Sequence, residues 1–485
     1  MTTDVNLREL ALDALLAVTR DHAYSHAVIR GMMEKHQYLA KQERSFLKRI
    51  CEGTLENMIW IDYAINQFSS VKVNKMKPVI RCILRNAVYE LKFMDAIPAS
   101  ATCNEAVKLA QKRGFRNLKG FVNGVLRNLS RNLDRVALPD REQSPVPYLS
   151  VRYSMPEWII KMWEETYSFA QIENFLQAFL AKAPTAVRVN PFKATKEELA
   201  KELAAEGVTV REAEEAAGAL YLEDYDFLGK LASFREGKFY VQDISSMQVA
   251  LCARPKAGDY ILDVCAAPGG KSIHMAELLW EAESQMPAGV EAGEQGAGVL
   301  EPAGVEAGEQ GAGVLEPAGA EAGVRESAGR TLHGMVEARD LTESKVSLIR
   351  ENIARCGLPN IRAAQADARV LDASQMGKAD IVLADLPCSG LGVIGRKADI
   401  KYRVTLEDCR ALCALQREIL QTVQQYVKPQ GQLLYSTCTI SPMENEGNVR
   451  WFLQEHPGFC LEEQRQILPA EGRNDGFFLA RFRKG

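Results

Sequence analysis

From residue 256 to the end of the chain, short apolar runs typical of strands alternate with longer segments that carry apolar residues at helical spacing. This order predicts a mostly parallel sheet with helices on both faces, because parallel strands need a crossover connection and a helix usually supplies it. In open sheets of this kind, ligands gather at the carboxyl ends of the strands. Side chains that directly follow the strands are therefore the first candidates for a functional site.

The rest of the chain indicates a multidomain protein. A length of 485 residues is too great for one ordinary core. Residues 1–140 show helical periodicity without strand-like alternation, and residues 146–255 mix helical segments with short strand candidates. We therefore expect an all-α N-terminal domain, a small α+β connector and an α/β domain over residues 256–485.

The third domain is interrupted by a tandem repeat. The fifteen letters PAGVEAGEQGAGVLE at 287–301 recur at 302–316, and they contain almost no large apolar residues. Such a segment cannot bury enough surface to offset the entropy lost on ordering. We expect residues 281–330 to form a disordered surface insertion, with a repeat solenoid as the alternative.

Charge is distributed unevenly along the chain. The net charge is −4, but residues 281–330 hold ten Glu against two Arg, so the remainder carries −4 − (−8) = +4. Residues 1–135 hold 22 Lys and Arg against 13 Asp and Glu, an excess of +9. A basic N-terminal part suits a polyanionic partner. Within it, the basic residues around Phe115 and Phe121 favour RNA contact or, equally, a solvated helix face.

The cysteines and the N-terminus indicate the compartment. Eleven cysteines are scattered without C-x-x-C spacing, which argues against a disulfide framework and a zinc site, so no metal is expected. The N-terminus has no secretory pattern, and no apolar run approaches the length of a membrane span. We expect a cytoplasmic protein that does not contact membranes.

Two of these cysteines lie where a site is expected. Cys388 in LADLPCSG and Cys438 in LLYSTCT each follow an apolar strand-like run and lie among small polar residues. Two thiols that leave neighbouring strands could face one pocket, and thiols are nucleophiles for covalent catalysis. Four other cysteines are expected at buried apolar positions: Cys51, Cys82, Cys252 and Cys356.

The segment DVCAAPGGKS at 263–272 predicts a turn that lets a ligand approach the backbone closely before a helix. A phosphate-binding P-loop is one reading, but Cys265 stands where its leading glycine belongs. The other reading is a nucleoside site, which needs acids after the following strands. Asp340, Asp367 and Asp385 occupy such places. Together they predict a pocket for S-adenosylmethionine.

These motifs give the chain a clear resemblance to the RNA 5-methylcytosine methyltransferases. The resemblance rests on DVCAAPGGK, DLPCSG, YSTCT, PMENE and NDGFFLAR, in that order. The segment NEAVKLAQKRGFRNLKGFVNGVLRNL resembles the NusB-like RNA-binding domain, so the likeness spans nearly the whole chain. It implies a Rossmann-like class I methyltransferase domain. The repeat insertion departs from the family pattern, as does Lys345, where an arginine would be usual.

The resemblance also implies roles for individual residues. Cys438 would be the nucleophile that adds to carbon 6 of a cytosine, Cys388 would assist its release, and Asp385 would act on N3 or the exocyclic amine. Contacts with S-adenosylmethionine would fall on one turn and three acids: Cys265, Ala266, Ala267, Pro268, Gly269, Gly270, Lys271, Asp340, Asp367 and Asp385.

The expected reaction is methylation of carbon 5 of a cytosine in 16S rRNA, naked or in a partly assembled small subunit, by a monomer. A tRNA cytosine is the nearest alternative, and a non-catalytic RNA-binding assembly or antitermination factor is an alternative of another class. Residues 393–403, VIGRKADIKYR, follow the Cys388 turn with four cations and a tyrosine. They favour phosphate contact and base stacking, or else a surface loop that caps a helix.

Overall fold

The computed structural model describes residues 5–181, 183–285, 332–470 and 473–485. Its N-terminal part is a helical bundle, as the periodicity predicts. Leu12, Ile61 and Leu84 are fully buried in its core. Pro78 begins a central helix at a position where the missing N–H costs nothing. The helices are α1 (Leu7–Thr19), α2 (Ser25–Lys35), α3 (Lys41–Glu56), α4 (Met58–Phe68), α5 (Pro78–Phe93), α6 (Ala99–Lys112) and α7 (Lys119–Asn132).

The connector contains, among its described residues, six α-helices and a four-stranded antiparallel sheet with the order β2-β3-β1-β4. The helices at Phe169–Leu180 and Lys196–Ala205 begin with capping boxes, in which the side chains of Ser168 and Thr195 accept a hydrogen bond from the backbone N–H three residues later. The elements are α8 (Pro145–Tyr153), α9 (Glu157–Glu164), α10 (Phe169–Leu180), β1 (Thr185–Val189), α11 (Lys196–Ala205), β2 (Thr209–Glu212), β3 (Ala219–Glu223), α12 (Ala232–Arg235), β4 (Phe239–Val241) and α13 (Ile244–Ala253).

The C-terminal part is a seven-stranded sheet with the order β10-β11-β9-β8-β5-β6-β7. Strands β5 to β9 pair in parallel and the last two pair antiparallel, which confirms the predicted α/β class. The elements are β5 (Tyr260–Asp263), α14 (Gly270–Ser284), β6 (Met335–Asp340), α15 (Glu343–Cys356), β7 (Ile361–Gln365), β8 (Ala379–Asp385), α16 (Ile400–Arg403), α17 (Leu406–Val423), β9 (Val427–Thr437), α18 (Glu446–Glu455), β10 (Phe459–Ile467) and β11 (Phe477–Lys484).

The prediction of a disordered insertion is wrong for its first five residues. Residues 281–285 belong to the end of α14 and its cap, and residues 286–330 of the insertion lie outside the described residues. Among the helices that the structure describes, none is long and apolar enough to cross a membrane.

Residues 393–403, which we name the docking segment, join the α/β domain to the helical bundle. Lys401 Nζ donates to the Glu56 carbonyl at 2.8 Å, and the Tyr402 hydroxyl donates to the Leu55 carbonyl at 2.9 Å. The Arg403 guanidinium lies 3.8 Å from the ring centre of Tyr24. The prediction of RNA contact is therefore wrong for these three residues, because their polar groups already bind backbone carbonyls and a tyrosine ring of the helical bundle. Burial lowers the pKa of Lys401 to about 7.

A buried ion pair holds the connector to helix α14. Arg188 on β1 and Glu277 are each 2% exposed, and Arg188 Nε donates to Glu277 Oε2 at 2.5 Å. Removing one member of such a pair leaves an uncompensated buried charge. We expect Arg188→Met to lower the free energy of unfolding by about 3–5 kcal/mol, measured by urea denaturation. Arg188→Met/Glu277→Leu should recover most of this loss, and an equal loss in both variants would contradict the explanation.

Candidate active site

Strands β8 and β9 bring the two candidate cysteines to the same edge of the sheet. The strands pair in parallel with Asp385 opposite Ser436, so both end at one level. Cys438 directly follows β9, and Cys388 follows β8 by three residues. Their sulfur atoms lie 3.4 Å apart. The two thiols can therefore exchange a hydrogen bond and act on one reacting group.

The two thiols differ in acidity. Either thiol can donate in this contact. Donation from Cys388, together with the cations Lys271 and Lys397, lowers the pKa of Cys438 below the ordinary thiol value, against burial and the Asp385 charge. The same bond, burial and nearby negative charges raise the pKa of Cys388. Because the thiolate is the reactive form of cysteine, Cys438 is the stronger nucleophile of the pair.

Asp385 and Lys271 form an ion pair beside Cys438. Lys271 Nζ donates to Asp385 Oδ2 at 2.7 Å, and the Ser436 hydroxyl donates to Asp385 Oδ1 at 2.7 Å. Since both oxygens accept, the pattern is that of an ionised carboxylate. Although burial opposes it, the Asp385 charge raises the pKa of Lys271. The ammonium therefore stays charged next to the thiols.

The glycine turn between β5 and α14 is held by an acid from the next strand. Gly269 is the N-cap of α14 with φ +103°, a left-handed conformation that favours glycine. Asp340 is 4% exposed, and its Oδ2 accepts from the Ala267 N–H at 3.0 Å. Lys345 Nζ lies 3.0 Å from Asp340 Oδ1. The predicted turn and the predicted acid thus form one structural unit.

A cavity at this edge is lined by most of the candidates. Of the predicted site residues, Gly269, Asp340, Asp367 and Cys388 are not among those that line it. Asp367 was predicted to contact the cofactor, but it lies outside the cavity lining. Its Oδ2 instead accepts a hydrogen bond from Arg369 Nη2 at 2.6 Å. The candidates that do line the cavity are Cys265, Ala266, Ala267, Pro268, Gly270, Lys271, Asp385 and Cys438.

Sequence reasoning missed two groups at this site. Asp243 and Asp475 also line the cavity, and one guanidinium, that of Arg396, bridges them at 2.7 and 2.6 Å. Burial and the Asp243 charge raise the pKa of Asp475 to about 7. The other group is Glu444 and the hydroxyls around it. Asp475 and Glu444 stand in the quoted segments NDGFFLAR and PMENE, but no local pattern shows that these loops fold over the cysteines.

The cavity is acidic, which bears on the choice of ligand. Asp243, Asp263, Asp385 and Asp475 line it, and Lys271 is already paired. Burial raises the pKa of Asp263 to about 7, as it does for Asp475. Carboxyl oxygens suit the hydroxyl and amine donors of a nucleoside, so the lining fits a nucleoside better than a triphosphate. Among the described residues, no group of His, Cys, Asp and Glu is arranged to hold a metal ion.

The hydrogen bond between the thiols leads to a pH prediction. Cys388→Ala removes the S–H that stabilises the Cys438 thiolate, so the pKa of Cys438 should rise. A smaller fraction is then ionised at pH 7, and alkylation of Cys438 by iodoacetamide should be several-fold slower there and recover at higher pH. Site-resolved mass spectrometry measures this profile. Cys356→Ala, a buried thiol elsewhere, is the control, and unchanged profiles in both variants would contradict the assignment.

Three family models match consecutive parts of the chain. The NusB family matches residues 5–131, the ferredoxin-like domain of the RsmF/B-like methyltransferases matches residues 155–225, and 16S rRNA methyltransferase RsmB/F matches residues 330–483. Each match falls on a part that the fold separates: the bundle, the connector and the α/β sheet. These matches confirm the NusB-like and methyltransferase-like classes predicted for the two ends.

Curated relatives match over almost the whole length. The probable ribosomal RNA small subunit methyltransferase B of Bacillus subtilis (strain 168) is 33% identical over 500 residues, with 99% of each chain covered. The ribosomal RNA small subunit methyltransferase B of Vibrio cholerae serotype O1 is 30% identical, with 98% of this chain and 97% of its own length covered.

Solved structures share the fold. The crystal structure of PH0851 matches with a TM-score of 0.74 at 23% identity, and each chain is covered completely. A methyltransferase homolog protein from Pyrococcus horikoshii has a TM-score of 0.51 at 21% identity, over 70% of this chain and 98% of its own. With a third of its residues shared with a curated relative along nearly the full length, the chain belongs to the 16S rRNA methyltransferase RsmB/F family.

Proposed function

We propose that the protein methylates carbon 5 of a cytosine in 16S rRNA, with S-adenosylmethionine as donor and a covalent bond between Cys438 and carbon 6. The observation that carries this proposal is the pair of sulfurs 3.4 Å apart beside a cavity that begins at a glycine turn. Family membership supports RNA methylation in general. The thiol pair supports the cytosine chemistry, because carbon 5 is too weak a nucleophile until a group adds at carbon 6.

Residues of the cavity fit the donor. Asp340 already supports the turn through the Ala267 N–H, and the adjoining Cys265, Ala266 and Pro268 give a close backbone approach. We propose that these residues hold S-adenosylmethionine, and that Asp340, which supports the turn from outside the cavity lining, would accept from hydroxyls of its ribose. When bound, S-adenosylmethionine supplies the methyl group. Asp367 would need to leave Arg369 to take part.

Four side chains carry the proposed steps on the base. The Cys438 thiolate adds to carbon 6, which makes carbon 5 nucleophilic. The ionised Asp385 accepts from the exocyclic amine and so orients the ring, while Lys271 keeps a positive charge beside it. Once Cys438 is bonded to carbon, its charge no longer opposes ionisation of Cys388. Cys388 can then release its proton to solvent and, as a thiolate, accept the proton from carbon 5. The bond between Cys438 and carbon 6 breaks, Cys438 leaves as a thiolate, and the double bond between carbons 5 and 6 is restored.

Three alternative functions differ from the proposed one in substrate or in the residues that they require. A tRNA cytosine would use the same pocket chemistry, and the family and the named relatives favour rRNA. A non-catalytic assembly factor would not need two adjacent thiols whose pKa values are shifted in opposite directions. A nucleoside triphosphatase would need a free lysine at the glycine turn, but Lys271 is paired with Asp385.

Bisulfite sequencing tests the proposal. RNA from cells that lack this protein should lose one methylated cytosine in 16S rRNA and none in tRNA, and a plasmid copy should restore it. Incubating the purified protein and labelled donor with naked 16S rRNA, or with partly assembled subunits from those cells, identifies the form of the substrate. Loss of a methylated cytosine in tRNA instead, or no loss in any RNA, would contradict the proposed substrate.

A further inference from the structure

Glu444 is a buried carboxylate next to the thiol pair, and it has no part in the proposed steps on the base. It lies between β9 and α18 and is fully buried. Its Oε2 accepts from the Ser389 N–H at 2.9 Å and from Gln416 Nε2 at 3.1 Å, and its Oε1 accepts from the Ser389 hydroxyl at 2.5 Å. Both oxygens accept, as they do in an ionised carboxylate. Burial raises the pKa of Glu444, and the hydrogen bonds from Ser389 and Gln416 oppose this rise and favour the ionised form, one residue away from Cys388.

The same carboxylate ties together the two turns that carry the cysteines. Ser389 directly follows Cys388, and its Oγ lies 2.8 Å from Oγ1 of Thr439, which directly follows Cys438. Since the Ser389 hydroxyl donates to Glu444, the Thr439 hydroxyl donates to Ser389. Gln416 also donates to the Pro387 carbonyl at 2.8 Å, so both neighbours of Cys388 are held. The chain of bonds explains how the sulfurs keep their short separation.

The charges around the two sulfurs are unequal. Cys438 faces Cys388, Asp385 and two cations, Lys271 and Lys397. The hydrogen bond with Cys438 raises the pKa of Cys388 most, followed by burial, the Cys438 charge and then the Glu444 charge. Tyr435, which packs against the same network, has a pKa well above its usual value because of burial and stays neutral. Glu444 is therefore the fixed charge that disfavours a thiolate at Cys388.

We propose that Glu444 is a positioning residue that keeps the shared proton of the thiol pair on Cys388 and so places the negative charge on Cys438. When the pair ionises, one proton goes to solvent, the remaining proton stays on Cys388 Sγ, and the Cys438 thiolate is free to form its bond. This inference rests on the proposed function only in giving Cys438 the role of nucleophile.

Two variants of the full chain separate charge from geometry. Glu444→Gln removes the charge, while the amide oxygen can still accept from the Ser389 N–H and the amide N–H can donate to the Ser389 hydroxyl. Ser389→Ala keeps the charge and breaks the link to Thr439. Each protein is treated with limiting iodoacetamide at pH 7.5, and peptide mass spectrometry measures the ratio of label on Cys438 to label on Cys388.

We expect the wild type and Ser389→Ala to label Cys438 with similar preference, within about twofold. In Glu444→Gln the ratio should fall at least tenfold as label moves to Cys388. An unchanged ratio in Glu444→Gln, or an equal fall in both variants, would overturn the proposal. The readout uses neither RNA nor methyl donor, so it stands even if the proposed substrate is wrong.

A measurement on the wild type covers the case in which Glu444→Gln does not fold. The labelling rate of each cysteine is followed from pH 6 to pH 10. The proposal expects the Cys438 profile to rise at lower pH than the Cys388 profile. A Cys388 profile that rises first would overturn it.

Discussion

Replacing Cys438 with alanine abolishes methyl transfer in the proposed mechanism, because carbon 5 is never activated without addition at carbon 6. Loss of a nucleophile typically lowers the rate by at least about 10⁴-fold. Transfer of a tritiated methyl group from S-adenosylmethionine to 16S rRNA measures the rate. Calorimetry with S-adenosylmethionine alone should show binding close to that of the wild type, since the turn of residues 265–271 and Asp340 is untouched.

Cys460→Ala is the matched control for this variant. Cys460 is an exposed thiol on β10, away from the cavity, and its removal should leave methyl transfer unchanged. Turnover by Cys438→Ala at the wild-type rate would end the assignment of Cys438 as nucleophile. Loss of donor binding would instead show that the substitution had disturbed the turn.

Replacing Cys388 with alanine has a different expected result: the enzyme remains covalently attached to its RNA. Addition and methylation still proceed, though more slowly, but the proton on carbon 5 has lost the acceptor beside the Cys438 sulfur. Because elimination of Cys438 must await departure of that proton, the adduct accumulates. A denaturing gel with end-labelled RNA should show a protein-linked band that disappears after nuclease treatment.

The double variant Cys388→Ala/Cys438→Ala provides the control, since it has no sulfur to form the bond and should give no band. Normal turnover by Cys388→Ala, with no adduct at any time point, would remove Cys388 from the mechanism.

The sequence was most informative where local pattern and topology agree. Cys388 and Cys438 follow two strand-like runs, and parallel neighbours end at one edge, so their approach could be predicted from the order of elements alone. The turn at Gly269 could be predicted for the same reason, whereas Asp340 was predicted only as a cofactor contact and its bond to the Ala267 N–H was not. Asp367 follows its strand as predicted, but the sequence could not show that Arg369, two residues on, would engage it.

Long-range packing was beyond the sequence patterns. Lys401 and Tyr402 look like a surface pair in a basic loop, and their burial depends on backbone carbonyls of Glu56 and Leu55 some 345 residues away. Glu444 reads as a loop acid before a helix, and only the fold shows that it lies against Ser389. In each case the residue type is polar, and its role depends on a partner that no local spacing reveals.

The docking segment also has a consequence for how this chain is made. Ser25 bonds through its N–H to Asp399, which is 374 residues later in the chain. At about 5–20 residues per second, translation needs roughly 20–75 s to cover that length. The nascent bundle must hold its fold without this partner during that interval. The face formed by α2 and the end of α3 thus remains accessible to chaperones until the last quarter of the polypeptide leaves the ribosome.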